Sequence, residues 1–258
     1  MVRVALLQLE VKDSIDESIE HVVDLLKKVG SAGSDIVCLP EQWYPKQLDS
    51  LDELNPLQEN AIEYSMVIVS GAFYRSINGN MYISCPVIGS DGSIIGEQFK
   101  LHPYGLEVEK VKAGDRLLLF EYNGVRFGIA ICHDVVFPEV ARVLALNNAD
   151  LIFFPSRIIS EGIEPWHIYV KARALENRVP CIAPNLCSEK FGGMSIIVDL
   201  RYDEALDIVL PDTVVAAGGE HVIISDIDVE ASRRIRSIRM SEIRKDYSVL
   251  VRGNKITS

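Results

Sequence analysis

Short apolar runs with strand character alternate along the chain with amphipathic segments that have helical spacing. Residues 2–9 form an apolar, β-rich run. Ser14 then precedes Glu17 by three residues, which is the signature of a helix N-terminus. The apolar face of this helix comprises Ile15, Ile19, Val22, Val23, Leu26 and Val29. Gly30 is expected to end the helix. Residues 35–39 read as a buried strand that ends at Pro40.

The same alternation continues to residue 227 and predicts a layered α/β fold. Strands are predicted at residues 66–74, 81–88, 94–99, 117–122, 125–131, 151–154, 181–184, 194–199, 206–210 and 222–227, and helices at 56–64, 138–146, 165–177 and after Asp228. The turn signal Asn123-Gly124 predicts one hairpin. Hairpins mixed with helices indicate sheets that pack on each other and carry helices on their outer faces. With no linker or repeat, one domain over residues 1–258 is expected.

Composition and charge narrow the class of protein. The 258 residues are 48% hydrophobic and 24% charged, with a net charge of −11. This charge disfavours nucleic acid and anionic membrane surfaces as partners. Apolar stretches are too short for a membrane helix, and Gln8 and Glu10 interrupt the N-terminus too early for a signal peptide. We therefore expect a cytoplasmic protein.

Neither the cysteines nor the basic residues indicate a metal, disulfide or nucleic-acid site. The five cysteines are Cys38, Cys85, Cys132, Cys181 and Cys187. They form an odd set without close pairs or a Cys-x-x-Cys motif, so neither a disulfide framework nor a metal site is expected. Four of them are expected to be small core residues. The arginines at 233, 234, 236 and 239 are expected to form a solvated or subunit-facing surface.

Three reactive residues stand at the ends of predicted strands. They are Glu41, Lys100 and Cys132. A rigid scaffold presents reactive groups at such positions. A free thiol has a pKa of about 8.5, so a neighbouring base and a neighbouring cation are needed to make Cys132 a nucleophile. Glu41 could be this base and Lys100 this cation. A surface acid, a surface base and a core thiol without a catalytic role would give the same sequence pattern.

Sequence blocks around these residues resemble the nitrilase superfamily of carbon-nitrogen hydrolases. The blocks are Pro-Glu-Gln at 40–42, Phe-Lys-Leu-His at 99–102, Ile-Cys-His-Asp-Val-Val-Phe-Pro-Glu at 131–139, Ala-Arg-Ala-Leu-Glu-Asn at 172–177 and Gly-Met-Ser-Ile-Ile-Val-Asp at 193–199. The resemblance extends from Val4 to about Tyr247. It implies a four-layer αββα sandwich, a Glu-Lys-Cys triad and a homodimer or higher homo-oligomer.

The resemblance also implies a second glutamate and a reaction without cofactor or metal. The second glutamate falls on Glu109, five residues before Gly114, and Glu107 is the alternative. Either would keep Lys100 charged. A small amide would be hydrolysed to a carboxylic acid and ammonia through a thioester on Cys132. Nitrile and N-carbamoyl amino-acid hydrolysis remain alternatives, as does a non-catalytic binding module with the same fold.

Candidate substrate-binding residues flank the triad in sequence. His133 follows the cysteine where the family often has Tyr or Trp, and its backbone N–H is expected to help bind the oxyanion. Tyr104 and Trp166 are candidate pocket walls, as are Trp43 and Tyr44. The Arg157 guanidinium suits a substrate carboxylate. His102 is expected to support the loop after Lys100.

Overall fold

The structure is a computed structural model, and it describes residues 1–243. The end of the predicted domain, residues 244–258, lies outside the described residues. The described strands are β1 (Val2–Gln8), β2 (Ile36–Cys38), β3 (Val67–Val69), β4 (Phe73–Ile77), β5 (Asn80–Ile88), β6 (Ile94–Phe99), β7 (Leu119–Tyr122), β8 (Val125–Ile129), β9 (Leu151–Phe153), β10 (Cys181–Ala183), β11 (Ile196–Asp203), β12 (Ile208–Val215) and β13 (His221–Ile227). The described α-helices are α1 (Ile15–Ser31), α2 (Asn55–Tyr64), α3 (Pro138–Leu146), α4 (Ile163–Asn177) and α5 (Val229–Ser241).

These strands form two sheets. One sheet has the order β13-β1-β2-β3-β5-β4, with β6 also paired to β5, and the other has the order β12-β11-β10-β9-β8-β7. Strands β1, β2 and β3 are parallel to one another, as are β8, β9 and β10. The carboxyl ends of these parallel strands therefore lie along one edge of each sheet.

Alternating side chains divide the core into three apolar layers. On β1, Val4 and Leu6 pack between the two sheets, whereas Ala5 and Leu7 pack on the outer side against α1. The second sheet behaves in the same way, with its outer face covered by α3 and α4. Because successive side chains on a strand point to opposite faces, both sheets are buried on two sides. The result is the predicted four-layer αββα sandwich.

Local sequence signals account for several boundaries of these elements. The Ser14 side chain accepts the backbone N–H of Glu17 and caps α1, as predicted. Gly30 does not end α1, contrary to expectation. A Cβ at Gly30 would lie 2.3 Å from the Tyr64 ring, so this glycine allows α1 and α2 to pack closely. The predicted strand at 66–74 is divided into β3 and β4, with Gly71 at a φ of 86° between them.

One other expectation is changed by the tertiary structure. Arg236 is buried and binds Asp150, and Arg233 binds the same carboxylate, so this part of the basic segment is not a solvated surface. All five cysteines are free and buried. Among residues 1–243, no helix combines the length and apolar character needed to cross a membrane.

Candidate active site

The side chains of Glu41, Lys100 and Cys132 meet at the base of one pocket. Lys100 Nζ lies 2.9 Å from Glu41 Oε1 and 2.9 Å from Glu107 Oε2. The Lys100 side chain is only 1% exposed, and that of Glu41 is 2% exposed. Burial alone would lower the pKa of Lys100, but the negative charges of Glu41 and Glu107 help to raise it above its ordinary value. Lys100 is therefore an ammonium ion throughout the neutral range.

Strand ends and backbone hydrogen bonds position these residues. Glu41 follows β2, and its backbone N–H donates to the Ser156 carbonyl at 3.2 Å. Lys100 follows β6, and its backbone N–H donates to the Ile83 carbonyl at 2.8 Å. An ammonium group has three N–H donors. The contacts within residues 1–243 direct two of them to carboxylates, which leaves one for a substrate oxygen.

Cys132 occupies a strained turn between β8 and a 3₁₀ helix over Cys132–Val136. Its φ of 49° lies in the left-handed region, where residues other than glycine are disfavoured. Its backbone N–H donates a hydrogen bond to the Pro155 carbonyl at 2.9 Å. Burial and the Glu41 carboxylate raise the pKa of the thiol, while Lys100 acts in the opposite direction. The resting group is a thiol, so a base must take its proton before sulfur can attack.

The second carboxylate beside Lys100 belongs to Glu107. The prediction that Glu109 makes this contact is wrong, because Glu109 lies exposed at the end of the 3₁₀ segment Gly105–Glu109 and does not line the pocket. Glu107 Oε2 also accepts the backbone N–H of Tyr104 at 2.8 Å, which folds the loop back over Lys100. Glu107 stands three residues after Tyr104, and this spacing lets its carboxylate reach back to the Tyr104 N–H, as the glutamate of a capping box does.

The pocket has a volume of about 730 Å³ and contains four of the six residues predicted to bind substrate or to form its walls. These are Tyr104, His133, Arg157 and Trp166. The Arg157 guanidinium carbon lies 4.9 Å from the centre of the Phe191 ring. Phe191 and the neighbouring Lys190 also line the pocket. They were not predicted from the sequence, because the loop that carries them is distant in sequence from the triad. Trp43 and Tyr44 belong instead to the core between α-helices and sheet.

His133 forms part of the pocket wall next to Cys132. Its ring centre lies 4.7 Å from that of Tyr104 and 5.4 Å from that of Phe137. Burial and the charge of Lys100 lower the pKa of His133, so a neutral imidazole lines the pocket at neutral pH. The backbone N–H of His133 lies in the first turn of the 3₁₀ helix, where amides have no partner within the helix.

Asp134 was expected only as part of a sequence block, yet it joins the two loops of the site. Its carboxylate accepts backbone N–H groups from Ile131, Leu101 and His102, and it also contacts His102 Nδ1. His102 stacks on Phe137 with the ring centres 3.7 Å apart. The expectation that His102 supports the loop after Lys100 agrees with this arrangement. Within residues 1–243, His, Cys, Asp and Glu side chains form no group of three or more suited to a metal ion.

A buried glutamate, lysine and cysteine at the base of a pocket in an αββα sandwich define the nitrilase class of hydrolases. Residues 3–237 match the carbon-nitrogen hydrolase family. The chain belongs to this family and is a hydrolase of carbon-nitrogen bonds other than peptide bonds.

Similar proteins include omega-amidases. Omega-amidase NIT2 of Xenopus tropicalis is 26% identical over 98% of this chain and 99% of its own length. Omega-amidase NIT2 of Bos taurus is 28% identical over 69% of this chain and 71% of its own length.

Solved structures share the fold. Saccharomyces cerevisiae Nit3, a member of branch 10 of the nitrilase superfamily, has a TM-score of 0.82 at 21% identity, covering 95% of this chain and 97% of its own. An amidase mutant from Nesterenkonia sp. AN1, with acrylamide added to its active-site cysteine, has a TM-score of 0.75 at 18% identity, covering 93% of this chain and 99% of its own.

Proposed function

We propose that the protein hydrolyses a small amide to a carboxylic acid and ammonia, with Cys132 as the nucleophile. The observation that carries this proposal is the buried Lys100 ammonium held between two carboxylates at the base of the pocket that contains the thiol. A protonated thiol, a carboxylate base and a fixed cation are the groups that acyl transfer to sulfur requires.

In the first step, Glu41 takes the Cys132 proton while sulfur attacks the amide carbon. The carbon-oxygen double bond opens, and the resulting oxyanion is stabilised by Lys100 Nζ and the backbone N–H of His133. Each such donor contributes about 3 kcal/mol to transition-state stabilisation. Lys100 remains protonated, because Glu107 stays a carboxylate and the oxyanion replaces the negative charge that Glu41 has lost.

The second half of the reaction releases ammonia and then the acid. Protonated Glu41 gives its proton to the amide nitrogen, the carbon-nitrogen bond breaks, and a thioester remains on Cys132. Glu41, again a carboxylate, takes a proton from water, whose oxygen attacks the thioester. The carbon-sulfur bond then breaks, and the leaving sulfur recovers the proton from Glu41. One water is consumed, and the enzyme returns to its starting state.

Charge at the pocket favours an amide that also carries a carboxylate. Arg157 and Lys190 both line the pocket, although the whole chain is acidic. The Phe191 ring packs against the guanidinium of Arg157 and lies 5.7 Å from Lys190 Nζ. A guanidinium fixed in this way can bind a carboxylate with two parallel hydrogen bonds. The omega-amidase relatives support the same substrate class.

Ammonia release from a panel of substrates tests this proposal. The panel contains aliphatic amides, ω-amides of dicarboxylic acids, N-carbamoyl amino acids and nitriles. We expect the ω-amides to react fastest and Cys132→Ala to be inactive. Cys181→Ala is the matched control, because Cys181 is buried on β10 away from the pocket. Reaction with nitriles alone, or full activity of Cys132→Ala, would contradict the proposal.

Arg157→Ala tests the carboxylate contact separately. For ω-amides, KM should rise about tenfold or more, which is the loss of a charge-assisted hydrogen bond. For an uncharged amide of the same length, KM should stay unchanged. Equal effects on both substrates would assign Arg157 to the pocket wall only.

A further inference from the structure

Asp134 is a fully buried carboxylate that the proposed chemical steps do not use. Its Oδ2 accepts the backbone N–H of Ile131 at 2.9 Å and that of Leu101 at 3.3 Å. Its Oδ1 accepts the backbone N–H of His102 at 2.8 Å and contacts His102 Nδ1 at 2.9 Å. All four contacts lie in the two segments that carry the nucleophile and the ammonium.

The partners of Asp134 are the immediate neighbours of reactive residues. Ile131 directly precedes Cys132, and Leu101 directly follows Lys100. One carboxylate thus fixes both backbones, which are distant in sequence. Burial raises the pKa of Asp134, and its hydrogen bonds oppose that effect. A buried carboxylate is retained at such a place only when several donors compensate for its lost hydration.

We propose that Asp134 is a positioning residue that sets the distance between the Cys132 thiol and the Lys100 ammonium. This inference rests on the proposed function, because it assigns both groups to the reaction. Asp134 touches neither group through its described hydrogen bonds and acts through the backbone on each side. A displacement of about 1 Å between reacting groups can cost about a hundredfold in rate. Arg157, Trp166 and Tyr169 line the pocket from other segments, whereas Tyr104 and His133 lie on these two loops, so we expect kcat to be affected more than substrate binding.

Asp134→Asn is the sharpest substitution, because it keeps the shape of the side chain but removes its negative charge and replaces one acceptor oxygen with an NH₂ donor. If the amide nitrogen replaces Oδ2, it faces the N–H groups of Ile131 and Leu101. If it replaces Oδ1, it faces the backbone N–H of His102. Either orientation sets donor against donor, so the two loops must separate.

Asp150→Asn is the matched control. Asp150 is also buried and accepts a backbone N–H, that of Arg126 at 3.0 Å, and it is bound by Arg233 and Arg236. It precedes β9, at the end opposite to the pocket. The measurements are kcat and KM for the best amide, the rate of Cys132 alkylation by iodoacetamide, and the free energy of unfolding, with rates expressed per folded molecule.

We expect Asp134→Asn to lower kcat about a hundredfold with KM within about threefold, and to slow alkylation in parallel. Asp150→Asn should lose stability but keep both rates. Unchanged kcat and alkylation in folded Asp134→Asn would overturn the inference, as would equal losses in both variants. If Asp134→Asn does not fold, His102→Ala replaces it, with an expected loss of about tenfold in kcat at unchanged KM.

The alkylation rate separates this inference from the proposed function. If the wild-type protein hydrolyses no amide in the panel, the proposed function fails. The rate of Cys132 alkylation still depends on the groups around the thiol and can be measured without a substrate. Slower alkylation in Asp134→Asn than in Asp150→Asn then still supports positioning by Asp134. Equal alkylation in the two variants overturns it.

Discussion

Two buried charge clusters occupy different parts of the molecule and have opposite compositions. The pocket cluster consists of Lys100 between Glu41 and Glu107. The Asp150 cluster consists of Asp150 between Arg233 and Arg236. Both place one charge between two charges of opposite sign. Only the pocket cluster opens on a cavity and lies beside a thiol.

Hydrogen-bond capacity distinguishes the two clusters. In the Asp150 cluster, both carboxylate oxygens are bound by arginines, and Arg236 also donates to the Ala149 carbonyl. In the pocket cluster, Lys100 keeps one N–H donor free of the contacts within residues 1–243. A cluster whose hydrogen-bonding groups are all paired holds segments of the chain together. A cluster that keeps an unpaired N–H donor beside a cavity can stabilise a negative charge that develops there. The comparison assigns a structural role to one cluster and a chemical role to the other.

Lys100→Met should have the largest effect on activity. The substitution removes the cation that stabilises the oxyanion and leaves Glu41 and Glu107 as two neighbouring carboxylates, so kcat should fall about a thousandfold or more. The fold should remain, as measured by circular dichroism. Lys27→Met, at an exposed position, is the control and should retain full activity. A Lys100→Met enzyme with more than about a tenth of wild-type kcat would remove the chemical role from the pocket cluster.

Arg236→Met should show the opposite pattern. It leaves the Ala149 carbonyl and one oxygen of Asp150 with fewer partners, and the loss of a buried charge partner costs about 3 kcal/mol. We expect this loss in the free energy of unfolding measured with urea, and kcat per folded molecule within about twofold of wild type. A large fall in kcat without loss of stability would contradict the structural role of the Asp150 cluster.

Glu107→Gln should have an intermediate effect, and Glu109→Gln is its matched control. Glu107→Gln keeps an acceptor for the Tyr104 N–H but removes the negative charge that lies beside the Lys100 ammonium. We therefore expect kcat to fall about tenfold to a hundredfold. Glu109→Gln changes an exposed side chain and should leave kcat unchanged. Steady-state kinetics on one amide decides between them. The reverse ranking would return the role of second glutamate to Glu109.

Most of the fold follows from local patterns, and this explains which parts were predictable. The continuous apolar run along β1 and the helical period along α1 could be recognised directly, because both patterns are local in the sequence. Glu41, Lys100 and Cys132 were identified by sequence blocks that each surround one strand end. The strained φ of Cys132 and the meeting of the three side chains required the packed sheets.

Features that depend on long-range contacts were not predictable. Glu107 and Glu109 lie two residues apart in one 3₁₀ segment, and only the way this segment folds over Lys100 distinguishes them. Arg236 looked like a surface residue because its partner, Asp150, is 86 residues away in sequence. Trp43 lies next to the site in sequence, but its indole N–H donates to the Ser70 carbonyl within the core.

The smallest expected effects concern the pH dependence of stability, which should differ between the two clusters. Arginine partners lower the pKa of Asp150 below its ordinary value of 3.8, although burial opposes them. A carboxylate with a lowered pKa stabilises the fold above its unfolded pKa and loses this contribution as pH falls through the folded value. Asp150→Asn should therefore destabilise the protein near neutrality and by a shrinking amount below about pH 4, as measured by urea unfolding at each pH. A constant difference from wild type would contradict this assignment.

The pocket cluster should respond on the alkaline side. The pKa of Lys100 is raised above its ordinary value of 10.5, because its carboxylate neighbours and Cys132 outweigh burial. Its contribution to stability is complete below pH 10.5 and is lost as pH rises through the folded pKa, at up to about 1.4 kcal/mol per pH unit. The stability difference between wild type and Lys100→Met should accordingly narrow above pH 10.5 and stay constant at neutral pH. A difference that stays constant above pH 10.5 would contradict this assignment.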